Sequence, residues 1–234
     1  MDSTVRPGYI WAKGKGPNQG RLGEMRERLG RVRRQELAEA TLLTLQEVGF
    51  RATTVARVSS RAGLSHGLVH HYFKTKSEMI EAAIRLASTR ISQELVALLA
   101  EASSPRERLN AVIEANFAPG IYGTRITHAW MSFGAEALAN ERFARILRVI
   151  YRRMRSNLRH GLRGLVPADD IEAVATGISL MIDGAWMRCA LDPDGFDRDQ
   201  ALKQIHDYVA GRLAPGVPAP RGDPAIGDAR YVER

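Results

Sequence analysis

Cysteine is nearly missing from this chain. Cys189 is the single thiol among 234 residues, which excludes an intramolecular disulfide and fits a reducing compartment, so the cytoplasm is the expected location. No apolar run approaches the ~18 residues of a membrane span, and residues 1–30 are basic and Gly-rich without the apolar stretch of a signal peptide. A soluble, unexported protein with no membrane partner is expected. Catalytic patterns are equally scarce, with no Gly-rich phosphate loop and no triad-like arrangement. His66 and His70 stand at i and i+4, a metal-ligand spacing, but no carboxylate or cysteine accompanies them at usable spacing. A helical metal-binding enzyme built on these two histidines is the remote alternative, and no cofactor is expected.

Acidic charge is thin in the first third. The formal net charge is +8, yet residues 77–234 hold 20 Lys+Arg and 20 Asp+Glu, so the whole excess lies in residues 1–76. That end is the candidate for a polyanion partner. Residues 1–34 alone carry a net +6; this leader is either a DNA-tracking arm that adds phosphate contacts or an extension ahead of a true start at Met25. Arg142, Arg145, Arg148, Arg152, Arg153, Arg155, Arg159 and Arg163 crowd one later segment. Because their domain nets to zero, they read as a solvated face paired with acids elsewhere.

What is present is helical periodicity. Residues 1–30 mix Gly, Pro, Arg and Lys without period and residues 215–234 repeat Pro and Gly, so both ends are expected to be disordered. Between them Leu37, Ala38, Thr41, Leu42, Leu45 and Val48 form an apolar stripe closed by Gly49. Two very short segments follow, one from Thr53 or Thr54 to Gly63, the other capped by Ser65 and running His66–Tyr72. Capping boxes at Thr75/Glu78, Ser104/Glu107 and Asp197/Gln200 open later helices, and an Asp192-Pro193-Asp194-Gly195 turn precedes the last. About nine helices and no sheet are predicted: an all-α fold with an N-terminal three-helix domain over 31–76 and a six-helix domain over 77–214.

Two short helices joined by a tight Gly-containing turn inside the basic region are what a helix-turn-helix needs to enter a major groove. Residues His66–Tyr72 form the expected reading helix: Ser65, His66, His70 and His71 present donors and acceptors, and Gly67 leaves room for close approach. Arg31, Arg33, Arg34, Thr54, Lys74 and Lys76 suit phosphate contacts.

These residues carry a family resemblance. Gly49-Phe50, Thr54-Val55, Arg61-Ala62-Gly63-Leu64-Ser65, Gly67 and His71-Tyr72-Phe73-Lys74-Thr75-Lys76 closely resemble the DNA-binding domain of the TetR family. The resemblance implies a ligand-responsive transcription repressor rather than an enzyme. It implies a homodimer joined by the last two long helices, about 168–191 and 197–213, with reading helices ~34 Å apart on double-stranded operator DNA. Arg33-Arg34-Gln35-Glu36-Leu37, Asn116-Phe117, Ala129-Trp130-Met131-Ser132-Phe133 and Ile182–Leu191 look closest to the choline-responsive, BetI-like branch of that family.

A quaternary amine is held by aromatic faces and an occasional carboxylate. Tyr122, Trp130, Phe133, Trp186, Glu136 and Asp183 supply both and are the candidate effector residues. Trp130 and Phe133 also stand at core spacing, Trp186 suits a dimer interface, and Asp183 could instead pair with Arg188 or an arginine of the seventh helix. Against the branch's usual pattern stand the leader, the Pro/Gly tail and His70, where a smaller residue is often found. The alternative within the class is a repressor of an efflux or catabolic operon with an unrelated effector, such as a lipophilic one.

Overall fold

The computed structural model describes residues 17–192 and 196–213, the side chains of residues 17–20 and 22 excepted. Nine α-helices run through the described residues: α1 (Pro17–Ala52), α2 (Val55–Ala62), α3 (His66–Tyr72), α4 (Lys76–Glu101), α5 (Pro105–Glu114), α6 (Thr124–Ala137), α7 (Glu141–Gly161), α8 (Ile171–Leu191) and α9 (Arg198–Ala210). The only β-type pairing among them is an isolated bridge between Arg163 and Val166.

Local chemistry explains where these helices start and stop. Gly49 adopts φ 75, which breaks α1 where the apolar stripe ends. Thr54 caps α2 by accepting from the Arg57 N–H, and Gly63 closes it at φ 65 with its N–H directed at Ser59 and Ser60 carbonyls. Ser65 caps α3 and Thr75 caps α4 in the same way. At α5 the full reciprocal box of Ser104 and Glu107 forms behind Pro105. The Thr75 box is altered: Glu78 Oε2 accepts from the Lys74 N–H rather than that of the cap residue.

Two expectations need correction. Residues 17–30, taken as part of a disordered leader, are helical in α1. Arg, Leu, Met and Glu dominate residues 21–29 and are good helix formers, and a helix already anchored at Leu37 adds residues without a new nucleation cost. The helical spacing of Phe143, Leu147, Ile150, Met154, Leu158 and Leu165 predicts one seventh helix, yet Leu165 lies beyond α7 in a loop with Gly164 at φ 76. Residues 1–16, the 193–195 part of the expected turn and residues 214–234, which include the whole expected tail over 215–234, lie outside the described residues.

Three apolar clusters organise the packing. The head buries Leu37, Ala40, Val58, Val69, Phe73 and Met79. A junction cluster joins Leu42 and Leu45 of α1 to Ile80, Ala83 and Ile84 of α4, Phe133 of α6 and Phe143 and Ile146 of α7. The largest is built from α5, α7, α8 and α9 around Leu109, Ile113, Phe117, Leu158, Ile178 and Ile205. One stretch of α1 therefore serves two cores, and the head cannot shift without disturbing α4 and α6. Burial also reaches Arg106, whose Nε and Nη1 meet no hydrogen-bond acceptor among the described residues, and desolvation lowers its pKa.

Candidate functional site

The head presents α3 outward. Val69 is buried against α1 and α2, while Ser65, His66, Gly67, His70, His71 and Lys74 are exposed. Thr54 is also exposed at the start of α2. Some of these groups already have protein partners. His66 Nδ1 lies 3.2 Å from Ser59 Oγ, which sets its ring against α2. Lys74 Nζ donates to the His70 carbonyl at 3.2 Å, and His71 packs edge-on to Tyr72. Arg33 pairs with Glu36 at 2.7 Å. Arg34 closes the carboxyl end of α3: Nη1 donates to the Tyr72 carbonyl at 2.7 Å and its guanidinium lies 4.3 Å over the Phe73 ring.

Lys76, expected at a phosphate, faces inward. Its Nζ donates to the carbonyls of Phe50 and Arg51 at 2.9 and 3.2 Å and sits 5.0 Å over the Phe50 ring. Burial lowers its pKa, against the attraction of Glu136, which favours the charged form. Lys76 thus stabilises the carboxyl end of α1 from the start of α4. Replacing Lys76 with Met keeps the packing on Phe50 but orphans two carbonyls. A stability loss of about 1–2 kcal/mol is expected in thermal unfolding, with the salt dependence of DNA binding unchanged; a flattened salt slope would restore the phosphate role.

Above the head lies a narrow cavity of about 40 Å³. Trp130 and Trp186 form one side, Ile84, Ala87, Ser88 and Ile91 of α4 another, and Leu42 and Gln46 of α1 close it towards the DNA-binding end. The indoles meet edge to face at 5.9 Å between centroids, with planes at 68°. Trp186 Nε1 donates to the Asn116 carbonyl at 3.2 Å, which fixes its ring. Arg90, also on the cavity wall, forms an ion pair with Glu39 of α1.

Asp183 lies one turn before Trp186 on α8 and is partly buried. Among the described residues it has no ion pair; the expected partner Arg188 lies over Phe196 instead, at 5.6 Å. Burial raises its pKa to about 6. Tyr151 of α7 connects the two features. Its phenol pKa is raised by burial and by the charge of Asp183, and a hydrogen bond from Trp130 opposes the shift. A carboxylate, a phenol and two indoles thus converge in one region of the larger domain.

The comparisons with known proteins agree with this geometry. Residues 37–83 match the model of bacterial regulatory proteins of the tetR family, and residues 105–214 match that of the BetI-type transcriptional repressor C-terminal domain. The HTH-type transcriptional regulator BetI of Rhizobium meliloti is 36% identical over 86% of this chain and 94% of its own length. A second BetI, from Chromohalobacter salexigens, is 35% identical over 78% and 91%. The chain belongs to the TetR family.

It is a DNA-binding transcription repressor of the BetI type. The TetR-like fold recurs in a transcriptional regulator from Saccharomonospora viridis solved in complex with choline, with TM-score 0.71 and 20% identity over 78% of this chain and 98% of that one. In this TetR-family chain the predicted effector residues separate into two groups. Trp130 and Trp186 line the cavity, with Asp183 nearby. Phe133 is fully buried in the junction cluster against Phe143, at 4.9 Å between ring centroids, and does not line it. Glu136 lies beside Lys76 at the junction. Tyr122 supports Trp186 from behind: the rings are 6.1 Å apart, and its hydroxyl reaches the carbonyls of Ala185 and Phe196 at 3.2 and 3.1 Å. Sequence reasoning missed Tyr151, Leu42, Gln46 and Arg90. Only Leu42 carried a signal, as part of the buried stripe of α1.

Four of the eight arginines expected on a solvated face pair with acids among the described residues, and Arg163 lies beyond the end of α7. Arg142 pairs with Glu81 and Glu78 of α4, Arg148 with Glu141, and Arg155 and Arg159 with Glu172. No group of three or more His, Cys, Asp or Glu able to hold a metal occurs among the described residues, and none of their helices is long and apolar enough to cross a membrane.

Proposed function

We propose that this repressor is released from its operator by choline or a closely related quaternary amine bound between Trp130 and Trp186. The observation that carries the reading is Asp183: a partly buried carboxylate with no ion pair among the described residues, one helical turn from Trp186. A desolvated cation over a tryptophan face gains about 2 kcal/mol, and a nearby uncompensated carboxylate adds attraction that a neutral ligand cannot use.

The size of the cavity supports a route to release. About 40 Å³ holds only a few waters, so a quaternary amine enters only if the walls move. Two of those walls are α1, through Leu42 and Gln46, and α4, through Ile84 and Ile91. Both helices lead into the head. Displacing them changes the angle of α3, and a coupling of about 1–3 kcal/mol is typical of such linkage.

On this reading the protein acts as a homodimer through α8 and α9. Leu180, Met187 and Leu191 are 66%, 45% and 70% exposed along one side of α8 in the single chain, with Gly184 between them. The spacing of i, i+4, i+7 and i+11 makes one continuous apolar face. Exposed Ser65, Gly67, His70 and His71 then read base edges, and Thr54 and Lys74 meet phosphates.

The test is fluorescence anisotropy of a labelled fragment of the gene's own upstream region, at fixed salt, with choline and with betaine aldehyde. Specific binding reversed by choline is expected. Binding unmoved by either compound would discard the quaternary amine and favour an apolar effector, which the Ile84, Ile91, Ile126 and Ile150 lining also fits. Binding no better than to random DNA would count against the operator itself.

A further inference from the structure

The first half of α1 belongs to neither core. Its packed part begins at Leu37, yet the helix starts at Pro17, twenty residues earlier, and residues 21 and 23–36 are exposed but for the partly covered Gly30. At 1.5 Å per residue this arm reaches about 30 Å beyond the head. Its charge is lopsided: over residues 21–34 there are six arginines and two glutamates. Arg21, Arg26, Arg28 and Arg31 have no ion pair among the described residues.

The arm also has a face. Met25, Leu29 and Val32, at i, i+4 and i+7, are 55%, 57% and 47% exposed. At 100° per residue, Arg26 and Arg33 border this stripe on one side and Arg21 and Arg28 on the other. Its position is set by Arg34, which is hydrogen-bonded to the Tyr72 carbonyl at the carboxyl end of the reading helix. The arm therefore leaves the head beside the surface that faces DNA.

We infer that residues 17–34 form a helical arm that binds the sugar–phosphate backbone of the duplex flanking the operator. This rests on the reading of α3 as the DNA-reading helix. Positive charge continuous with that surface meets a uniformly anionic partner, and arginines on both borders of the stripe reach phosphates on either side of it. A helix 10–12 Å across matches a major groove about 12 Å wide. The apolar stripe then lies over the sugars between the phosphate rows. The contact carries no sequence information and extends the footprint.

The experiment compares the full chain with its R21Q/R26Q/R28Q variant on two upstream fragments. One ends close to the operator, and the other carries about ten more base pairs on each side, the reach of a 30 Å arm at 3.4 Å per base pair. The unchanged protein is expected to bind the longer fragment at least tenfold more tightly at low salt, and the variant to bind both alike. Each lost phosphate contact should lower the slope of log K against log salt by about 0.9, so the slope on the long fragment falls by several while that on the short one stays. Equal flank dependence and equal slopes in the two proteins would overturn the arm. So would binding of the unchanged protein, and not the variant, to anionic phosphatidylserine vesicles with no change on DNA, or a change of oligomeric state in the variant that accounts for the loss. Failure of the head is distinguishable: neither protein would then bind either fragment better than random DNA.

Discussion

With Leu180 and Met187 both replaced by glutamate, the protein is expected to run as a folded monomer in light scattering and to lose at least a hundredfold in operator affinity. Both side chains are exposed in the single chain, so the change leaves the protomer core untouched. The buried side of α8, with Val174, Ile178, Ile182 and Ala185, keeps its packing. Between two protomers the cost is large. Each apolar side chain removed from an interface forfeits about 1.5–3 kcal/mol of burial, and four added carboxylates would be brought together in it. DNA affinity falls with dimerisation because one bound head raises the local concentration of the second to about millimolar, a gain of about 10²–10⁴. Circular dichroism should show unchanged helix content. A variant that stays dimeric would move the interface away from α8; a monomer with full affinity would mean that one head suffices.

How far the sequence foretold this molecule depends on the range of the interaction concerned. Caps are local, and the Ser104/Glu107 box, the Gly63 stop and the Ser65 start were legible because donor and acceptor lie within four residues. Apolar stripes showed which helix faces are buried, but not against what. Trp130 and Phe133, three residues apart on α6, enter different environments, one at the cavity and the other in the junction cluster. Lys76 and Phe50 are separated by 26 positions, so nothing local could show that the lysine caps α1 instead of a phosphate. The same holds for Leu42 and Gln46, whose place on the wall of the Trp130–Trp186 cavity follows from how α1 crosses α4 and α6. The extension of α1 was hidden for a different reason. Gly23 and Gly30 suggested a loop, while the arginines, leucines and glutamates around them favour helix strongly enough to carry it through.

Asp183→Asn is expected to make the protein more stable and deaf to quaternary amines. Burial raises the Asp183 pKa from 3.8 to about 6, so the native state resists the charge that the unfolded chain accepts freely. For a carboxylate raised in this way the native state holds more protons than the unfolded one between those two values. Stability therefore falls as pH rises through that window, and the full penalty applies above about pH 6. A tenfold change in proton affinity corresponds to ~1.4 kcal/mol. Allowing for the water that still reaches the group, relief of about 1–2 kcal/mol is expected on substitution at pH 7, an unfolding midpoint higher by roughly 2–8 °C. The gain should shrink as pH falls through that window, because protonated Asp183 is already neutral. A bound cation would reverse the preference, lowering the Asp183 pKa and drawing a proton off. Choline-driven release from the operator should accordingly weaken below about pH 6 in the unchanged protein, and in the asparagine variant be slight at every pH. Anisotropy titrations at several pH values, paired with melting curves, separate the two effects. A stabilised variant that still answers to choline would show that the carboxylate is a packing defect with no part in the effector site. A destabilised variant would mean that Asp183 has a native partner in the folded protein.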